Sequence, residues 1–301
     1  MNVISPASSD VSLKLVAVPL DEVETLMLKL INGGIYDTEK SVPVTVDAST
    51  YHLQSGGQRV RARLALHSGT ALGLAPTDSV ALAAAAELLH NASLVHDDLH
   101  DREKLRRGTQ TVWAAYGDEV AICVGDLLLS AAYGALATIQ DSRFLPELIA
   151  LVHNRICMVI RGQCAELSER GQQVADMSVY EKIAVGKSGV LLSLPLEMVF
   201  IVSGRPSWMA EARRAAEAFG VGYQIVDDME DLENDSGGDA GPRAVNALLV
   251  LKAAGCEKNA HLEARNIALR YLKTAVEAAE ALPNDSGAIL RELAQALCRR
   301  M

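Results

Sequence analysis

The chain has 301 residues, 50% of them hydrophobic and 22% charged, which is enough to bury a large core and too apolar for a disordered or collagen-like polypeptide. Its 28 Lys and Arg against 38 Asp and Glu leave a net charge of −10; this disfavours nucleic acid and anionic membrane surfaces as partners, because both are held through a cationic excess. Five cysteines, Cys123, Cys157, Cys164, Cys256 and Cys298, form no CxxC pair and fit reduced thiols of a cytoplasmic protein rather than a disulfide framework or a zinc knuckle.

Residues 1–20 lack clear periodicity and are expected to form a partly disordered N-terminal segment, while 21–301 read as one helical domain. The first twenty residues carry no charged start followed by an apolar run, and the longest apolar segment, Val190 to Gly204, is interrupted by Pro195 and Glu197. Neither export nor a membrane span is expected. Aromatic residues make up 4%, strand-like alternation is almost absent, and Ala/Leu/Glu-rich windows dominate, so the fold is expected to be all-α. In chain order the predicted helices cover 21–31, 59–72, 79–101, 119–139, 145–169, 179–203, 208–232, 244–254, 258–280 and 286–300. Pro76-Thr77-Asp78 supplies the start of the third. The window Glu233 to Arg243 (ENDSGGDAGPR) is polar, glycine-rich and aperiodic, and is expected to be a mobile loop.

Two acidic clusters end long predicted helices: Asp97-Asp98-Leu99-His100-Asp101 and Asp227-Asp228-Met229-Glu230-Asp231. Residues four apart share a helix face, so Asp97 meets Asp101 and Asp227 meets Asp231, at a cost of about 0.2–0.5 kcal/mol per like-charged pair. One such pair also describes a solvated acidic face; two matched clusters make that the weaker reading. Carboxylates without His or Cys at ligand spacing suit a hard divalent cation, and Mg²⁺ prefers one or two carboxylates completed by water and substrate phosphates. Two carboxylate faces opposed across a helical bundle would then hold Mg²⁺ for a diphosphate substrate. Candidate cations for the same anion are Arg106 and Arg107, Lys187 in VGKSG, and Arg59, Arg61 and Arg63 after Gly56-Gly57, each of which is otherwise an ordinary surface charge. His90 lies two helical turns before Asp97 on the same face, and its alternative is a satisfied core histidine.

From about Gly56 onwards the sequence resembles the trans-isoprenyl diphosphate synthases, or polyprenyl synthetases. ELLHNASLVHDDLHDREKLRRGTQTV is similar to the first aspartate-rich motif of that family, YQIVDDMED to the second, and GDLLLSAAYGAL, Arg161-Gly162-Gln163, Tyr180 to Ser188 and ALPNDSGAILRELAQAL to other family segments. The resemblance implies a single-domain helical bundle of the isoprenoid synthase type with a central active-site cavity, a homodimer, and Mg²⁺-dependent head-to-tail condensation of isopentenyl diphosphate with an allylic diphosphate. It implies that Asp97, Asp101 and Asp227 are the main metal ligands, with Asp98, Asp228 and Asp231 in support. It further implies that Arg106, Lys187, Ser188 and Gln224 serve the allylic diphosphate, that Arg61, His90 and Arg107 serve isopentenyl diphosphate, and that Gln163 faces the cation formed on ionisation. Ala92 and Ser93, five and four residues before Asp97, are small where the family uses aromatic residues to stop chain growth, which implies a product of C20 or longer.

Two departures stand out. Gln58 occupies the place of a lysine in the family's GGKRxRP, and the segment after Asp231 is short and free of lysine, leaving Arg243 as its cation. Arg243 is therefore expected to close over the allylic diphosphate, and neutral Gln58 to bind isopentenyl diphosphate more weakly than lysine would. The competing readings are a class I terpene cyclase, a prenyltransferase with a different acceptor, and a non-catalytic regulatory subunit. The all-aspartate second cluster argues against the first, and the survival of both clusters against the last.

Overall fold

The computed structural model describes residues 20–33, 42–169, 174–230 and 245–301. Nearly all of the expected N-terminal segment, the loop Glu233 to Arg243, and the candidate residues Asp231 and Arg243 lie outside the described residues. The described residues form an all-α fold, as expected, and the contacts divide the chain into two compact units, Met1–Ile149 and Ala150–Met301.

In the first unit, α1 (Leu20–Ile31), α2 (Val44–Gln54) and α3 (Val60–Leu72) precede α4 (Pro76–Asp101); a hairpin of β1 (Leu105–Arg106) and β2 (Thr109–Gln110) follows, then α5 (Val112–Tyr116) and α6 (Asp118–Leu136). The 26-residue α4 is the axis, against which α1, α3 and α6 pack. Its run Ala81 to Ala86 is buried throughout; alanine favours helix and lets neighbouring helices come close. Pro76 opens it, since a missing N–H costs nothing in the first turn. A Cβ on Gly125 of α6 would overlap the imidazole of His96 on α4, so glycine there makes room for that ring between the two helices.

Three elements differ from expectation. The stretch VTVDASTYHLQ falls outside the expected helices, yet it forms α2, which buries Val46, Ala48, Ser49, His52 and Leu53; packing here outweighs the low helix preference of Val and Thr. The hairpin is the one sheet among the described residues. It turns through Arg107 and Gly108, both at positive φ (55° and 78°), as a two-residue turn of the I′ kind requires. The short helix α5 was likewise not expected.

The second unit comprises α7 (Leu145–Glu169), within which the division falls, α8 (Met177–Ala184), α9 (Val190–Val202), α10 (Met209–Glu230), α11 (Ala247–Ala253), α12 (Ala260–Ala281) and α13 (Ala288–Arg300). Here α10 packs against α9 and α12, and α12 against α13. The single helix expected over 179–203 is instead α8 and α9 joined by a π-helical turn, Val185–Gly189. Glycines hold this wide turn against its neighbours. A Cβ on Gly162 of α7 would stand 3.0 Å from the Gly186 Cα, and one on Gly220 of α10 would stand 2.8 Å from the Gly189 nitrogen.

Two helical stretches, Asp118–Leu136 and Met177–Val202, have the length and mean hydropathy of a membrane span. Of the second's apolar window 83% is buried within the protein. The fully buried Glu197 inside it accepts hydrogen bonds from Arg155 Nε at 2.7 Å and Arg213 Nη2 at 2.9 Å, an arrangement suited to a core helix. The first stretch is 44% buried, with its inner face on α4.

Because backbone lies on both sides of the Gly189–Gly220 contact, Gly220→Ala should destabilise the protein by about 1–3 kcal/mol, the usual cost of overpacking. A lowered denaturant midpoint with an unchanged slope is the expected result.

Candidate active site

The first acidic cluster is the last turn of α4. Chain direction reverses at Arg102, a left-handed residue (φ 56°) whose N–H closes the helix on the Asp98 carbonyl. The hairpin then returns Arg106 to the helix it has just left. Arg106 Nε donates to both Asp98 oxygens at 2.9 and 3.0 Å, and Nη2 to Oδ1 at 2.5 Å, with Asp98 1% and Arg106 7% exposed. Such a fork-to-carboxylate pair fixes register as well as charge. Thr111 Oγ1 and Trp113 Nε1 both donate to the Glu103 carbonyl, and Tyr51 to that of Gln110, tying the hairpin down. Asp97 is left half-buried and Asp101 exposed on one helix face.

Asp227 and Asp228 of the second cluster lie in the last described turn of α10. Asp228 is 4% exposed and its carboxylate accepts from Gln224 Nε2 (3.0 Å) and the Ala247 N–H (2.8 Å), while Asn246 Nδ2 donates to its carbonyl. Asp227 is half-buried. In each cluster, then, the second aspartate is buried and held by protein donors, and the first is half-buried beside it. Gln224 also accepts from Ser188 Oγ at 3.4 Å, so a polar chain runs from the π turn to Asp228. Beside Ser188, the Lys187 ammonium is ion-paired with the buried Glu166 of α7. A π turn widens the helix locally and is often found where side chains serve a site. Gln163, also on α7, is buried, and its Nε2 has no hydrogen-bond partner.

A cationic pocket occupies the first unit. It is lined by Gln58, Arg61, Glu87, His90, Asn91 and Arg107. Gly56 (φ 87°) and Gly57 (φ 135°) make the turn beneath it. The Arg107 guanidinium donates to the Gly56 carbonyl and covers Gly57, where a Cβ would meet it at 2.8 Å. Arg61 is 2% and His90 5% exposed, and His90 Nδ1 is buried without a hydrogen-bond partner. Of the other arginines in this stretch, Arg59 reaches Glu24 and the Leu53 carbonyl, and Arg63 the Gln58 carbonyl.

Sequence reasoning passed over Glu87, Asn91, His52 and Glu166. The first two were legible: Glu87, His90, Asn91, Asp98 and Asp101 recur at three-, four- and seven-residue spacing along one face of a helix rich in Ala and Leu, a polar stripe on a buried element. His52 lies on the unexpected α2, and its Nε2 meets Asn91 Oδ1 at 3.1 Å.

The donor set fits a hard cation. Asp97 and Asp101 at the end of α4, and separately Asp227 on α10, offer only carboxylate oxygen, and among the described residues no group of three or more His, Cys, Asp or Glu is placed to hold a metal ion. A metal held at either helix end would draw the rest of its shell from water and substrate phosphate, as Mg²⁺ prefers.

Residues 42–241 match the Polyprenyl synthetase family. The chain belongs to that family. Among polyprenyl synthetases it is similar to an all-trans-nonaprenyl-diphosphate synthase (geranyl-diphosphate specific) of Rhodobacter capsulatus, at 29% identity over 90% of this chain and 84% of that one. It is also similar to a farnesyl diphosphate synthase of Geobacillus stearothermophilus, at 30% identity over 76% of this chain and 82% of that one. Other relatives are matched over 58% and 48% of their length. The fold is that of the geranylgeranyl pyrophosphate synthetase structure from Pyrococcus horikoshii, with a TM-score of 0.79 and 24% identity over 94% of this chain and 96% of that one. These relatives are prenyl diphosphate synthases whose names span several product lengths.

Burial, followed by the nearby charges of Arg106 and Arg107, pushes the His52 imidazole down to about 3. Burial, with Arg61 and Arg107 next, holds His90 well below its usual value. An unfolded histidine takes up a proton near pH 6.5 and the folded His52 does not until about 3, so stability falls as pH drops through that window. Between about pH 6.5 and 5 the loss attached to His52 is on the order of 2 kcal/mol. Urea midpoints compared at about pH 7 and pH 5 should show this fall, and His52→Gln should reduce it.

Proposed function

We propose that the protein is a Mg²⁺-dependent trans-polyprenyl diphosphate synthase that condenses isopentenyl diphosphate with an allylic diphosphate into a product of C20 or longer. The observation supporting this reading is one arrangement repeated at both acidic clusters, a half-buried leading aspartate beside a buried second one held by protein donors. Asp97, Asp101 and Asp227, with Asp231, are the proposed holders of Mg²⁺, whose chemistry when bound is to neutralise charge on the departing diphosphate. Asp98 and Asp228 act in support by fixing the helix ends. Arg106, Lys187, Ser188, Gln224 and Arg243 are proposed to orient the allylic diphosphate; Gln58, Arg61, His90 and Arg107 hold isopentenyl diphosphate.

In the reaction the allylic C–O bond breaks with its electron pair leaving on diphosphate, the isopentenyl double bond adds to the carbocation, and a proton is lost to the released diphosphate. No protein nucleophile is needed. The side chains bind both diphosphates, exclude water, and in the case of Gln163 present an amide dipole to the cation. The working form is proposed to be a homodimer in the cytoplasm, in keeping with the family and the reduced cysteines.

The buried Ala92 and half-buried Ser93, whose hydroxyl donates to the His90 carbonyl at 2.8 Å, support the longer product, since neither adds bulk to α4 there. Incubation with Mg²⁺, isopentenyl diphosphate and C5, C10 or C15 allylic diphosphates, followed by chromatographic sizing, should give chains of C20 or more. A cyclic hydrocarbon would identify a cyclase and no turnover a regulatory subunit. Asp101→Ala should lower kcat by about 10²–10³, the range found when one preorganised charge-stabilising group is lost. Ser93→Phe should shorten the main product while the aspartate-dependent rate persists.

A further inference from the structure

The N-terminus of α3 is oddly equipped. Arg59, Arg61 and Arg63 crowd it, no acidic residue lies in its first turn, and no side chain from its own N-cap bonds its free amides. Cations at that end oppose the helix dipole. Compensation comes from the neighbouring helix: Glu87, in the middle of α4, is 2% exposed, and its Oε1 accepts the Ala62 N–H at 3.0 Å. The same carboxylate lines the pocket formed with Arg61, His90 and Arg107.

A buried anion inside a site for anions repels its ligand, so its presence requires a compensating role. Partial burial, then Arg106 and Arg59, push the Arg107 guanidinium below its usual value, and Glu87 acts against that shift. Without Glu87, Arg61 and Arg107 would line the pocket beside His90 with less opposing charge, and the Ala62 amide of α3 would lose its acceptor. In the same pocket the buried His90 Nδ1 has no hydrogen-bond partner.

We propose that Glu87 is a positioning residue for the diphosphate of isopentenyl diphosphate: it caps α3 from α4 and keeps Arg61 and Arg107 converged on one pocket. This rests on the reading of the pocket given under the proposed function. The carboxylate does not touch the reacting carbons; it acts through the start of α3 and through the arginines.

The test uses the full chain with Glu87→Ala and Glu87→Gln. Titration calorimetry with inorganic pyrophosphate, in chelator so that metal-dependent binding is silent, reads the pocket without turnover. Glu87→Ala should weaken pyrophosphate about tenfold. In the condensation assay it should raise KM for isopentenyl diphosphate by a similar factor, with kcat and the allylic KM nearly unchanged. Glu87→Gln keeps an oxygen for the Ala62 amide and should recover part of the loss, which also covers the case in which the alanine variant does not fold. Unchanged or tighter pyrophosphate binding in the variants, no binding by the native protein, or equal rises in both KM values would overturn the proposal. Weakened pyrophosphate binding in the variants of a protein that makes no prenyl product would uphold Glu87's role and overturn the synthase reading instead.

Discussion

The closure of Arg106 on Asp98 organises the first unit, because it answers the problem every carboxylate-rich helix end poses. Acidic side chains at a helix C-terminus face both each other and the negative end of the helix dipole. Folding the chain back so that a guanidinium forks onto the buried middle aspartate offsets that repulsion and leaves Asp97 and Asp101 in place. Removing either partner would strand a buried charge, which costs far more than the pair itself contributes. The left-handed Arg102 and Arg107 are the local strain this return path demands, tolerated where the surroundings over-determine them.

The second unit meets the same requirement with neutral donors. Gln224, the Ala247 amide and Asn246 hold Asp228, so the helix end is fixed by hydrogen bonds rather than by a cation. Precision comes from glycine: the π turn bearing Lys187 and Ser188 is located by backbone-to-backbone contacts at Gly162, Gly186, Gly189 and Gly220. A methyl group at such contacts moves the backbone, since no flexible side chain is there to yield.

Much of this was legible in the sequence, and the misses have physical causes. Long alanine- and leucine-rich windows gave most helices to within a few residues, and the aspartate spacing located both helix ends. Expectation failed where tertiary contacts overrule local preference. Helix α2 forms from Val- and Thr-rich sequence because His52 and Leu53 gain a buried setting, and the π turn is invisible to a 3.6-residue period because the partners that widen it lie far along the chain. Glu87 differs: its place in a polar stripe of α4 is legible in the sequence, but its partner, the Ala62 amide of α3, is not.

Glu197 gives one more consequence. With Lys187, it places charge in the most apolar stretch of the chain, and in the folded protein the two are satisfied by Arg155, Arg213 and Glu166. A nascent chain lacks those partners until its helices have assembled. At the centre of a bilayer such a charge costs about 2.5–3.5 kcal/mol on insertion scales. The charges that secure this helix in the core therefore also count against its diversion into lipid during synthesis, before any tertiary structure exists to conceal it.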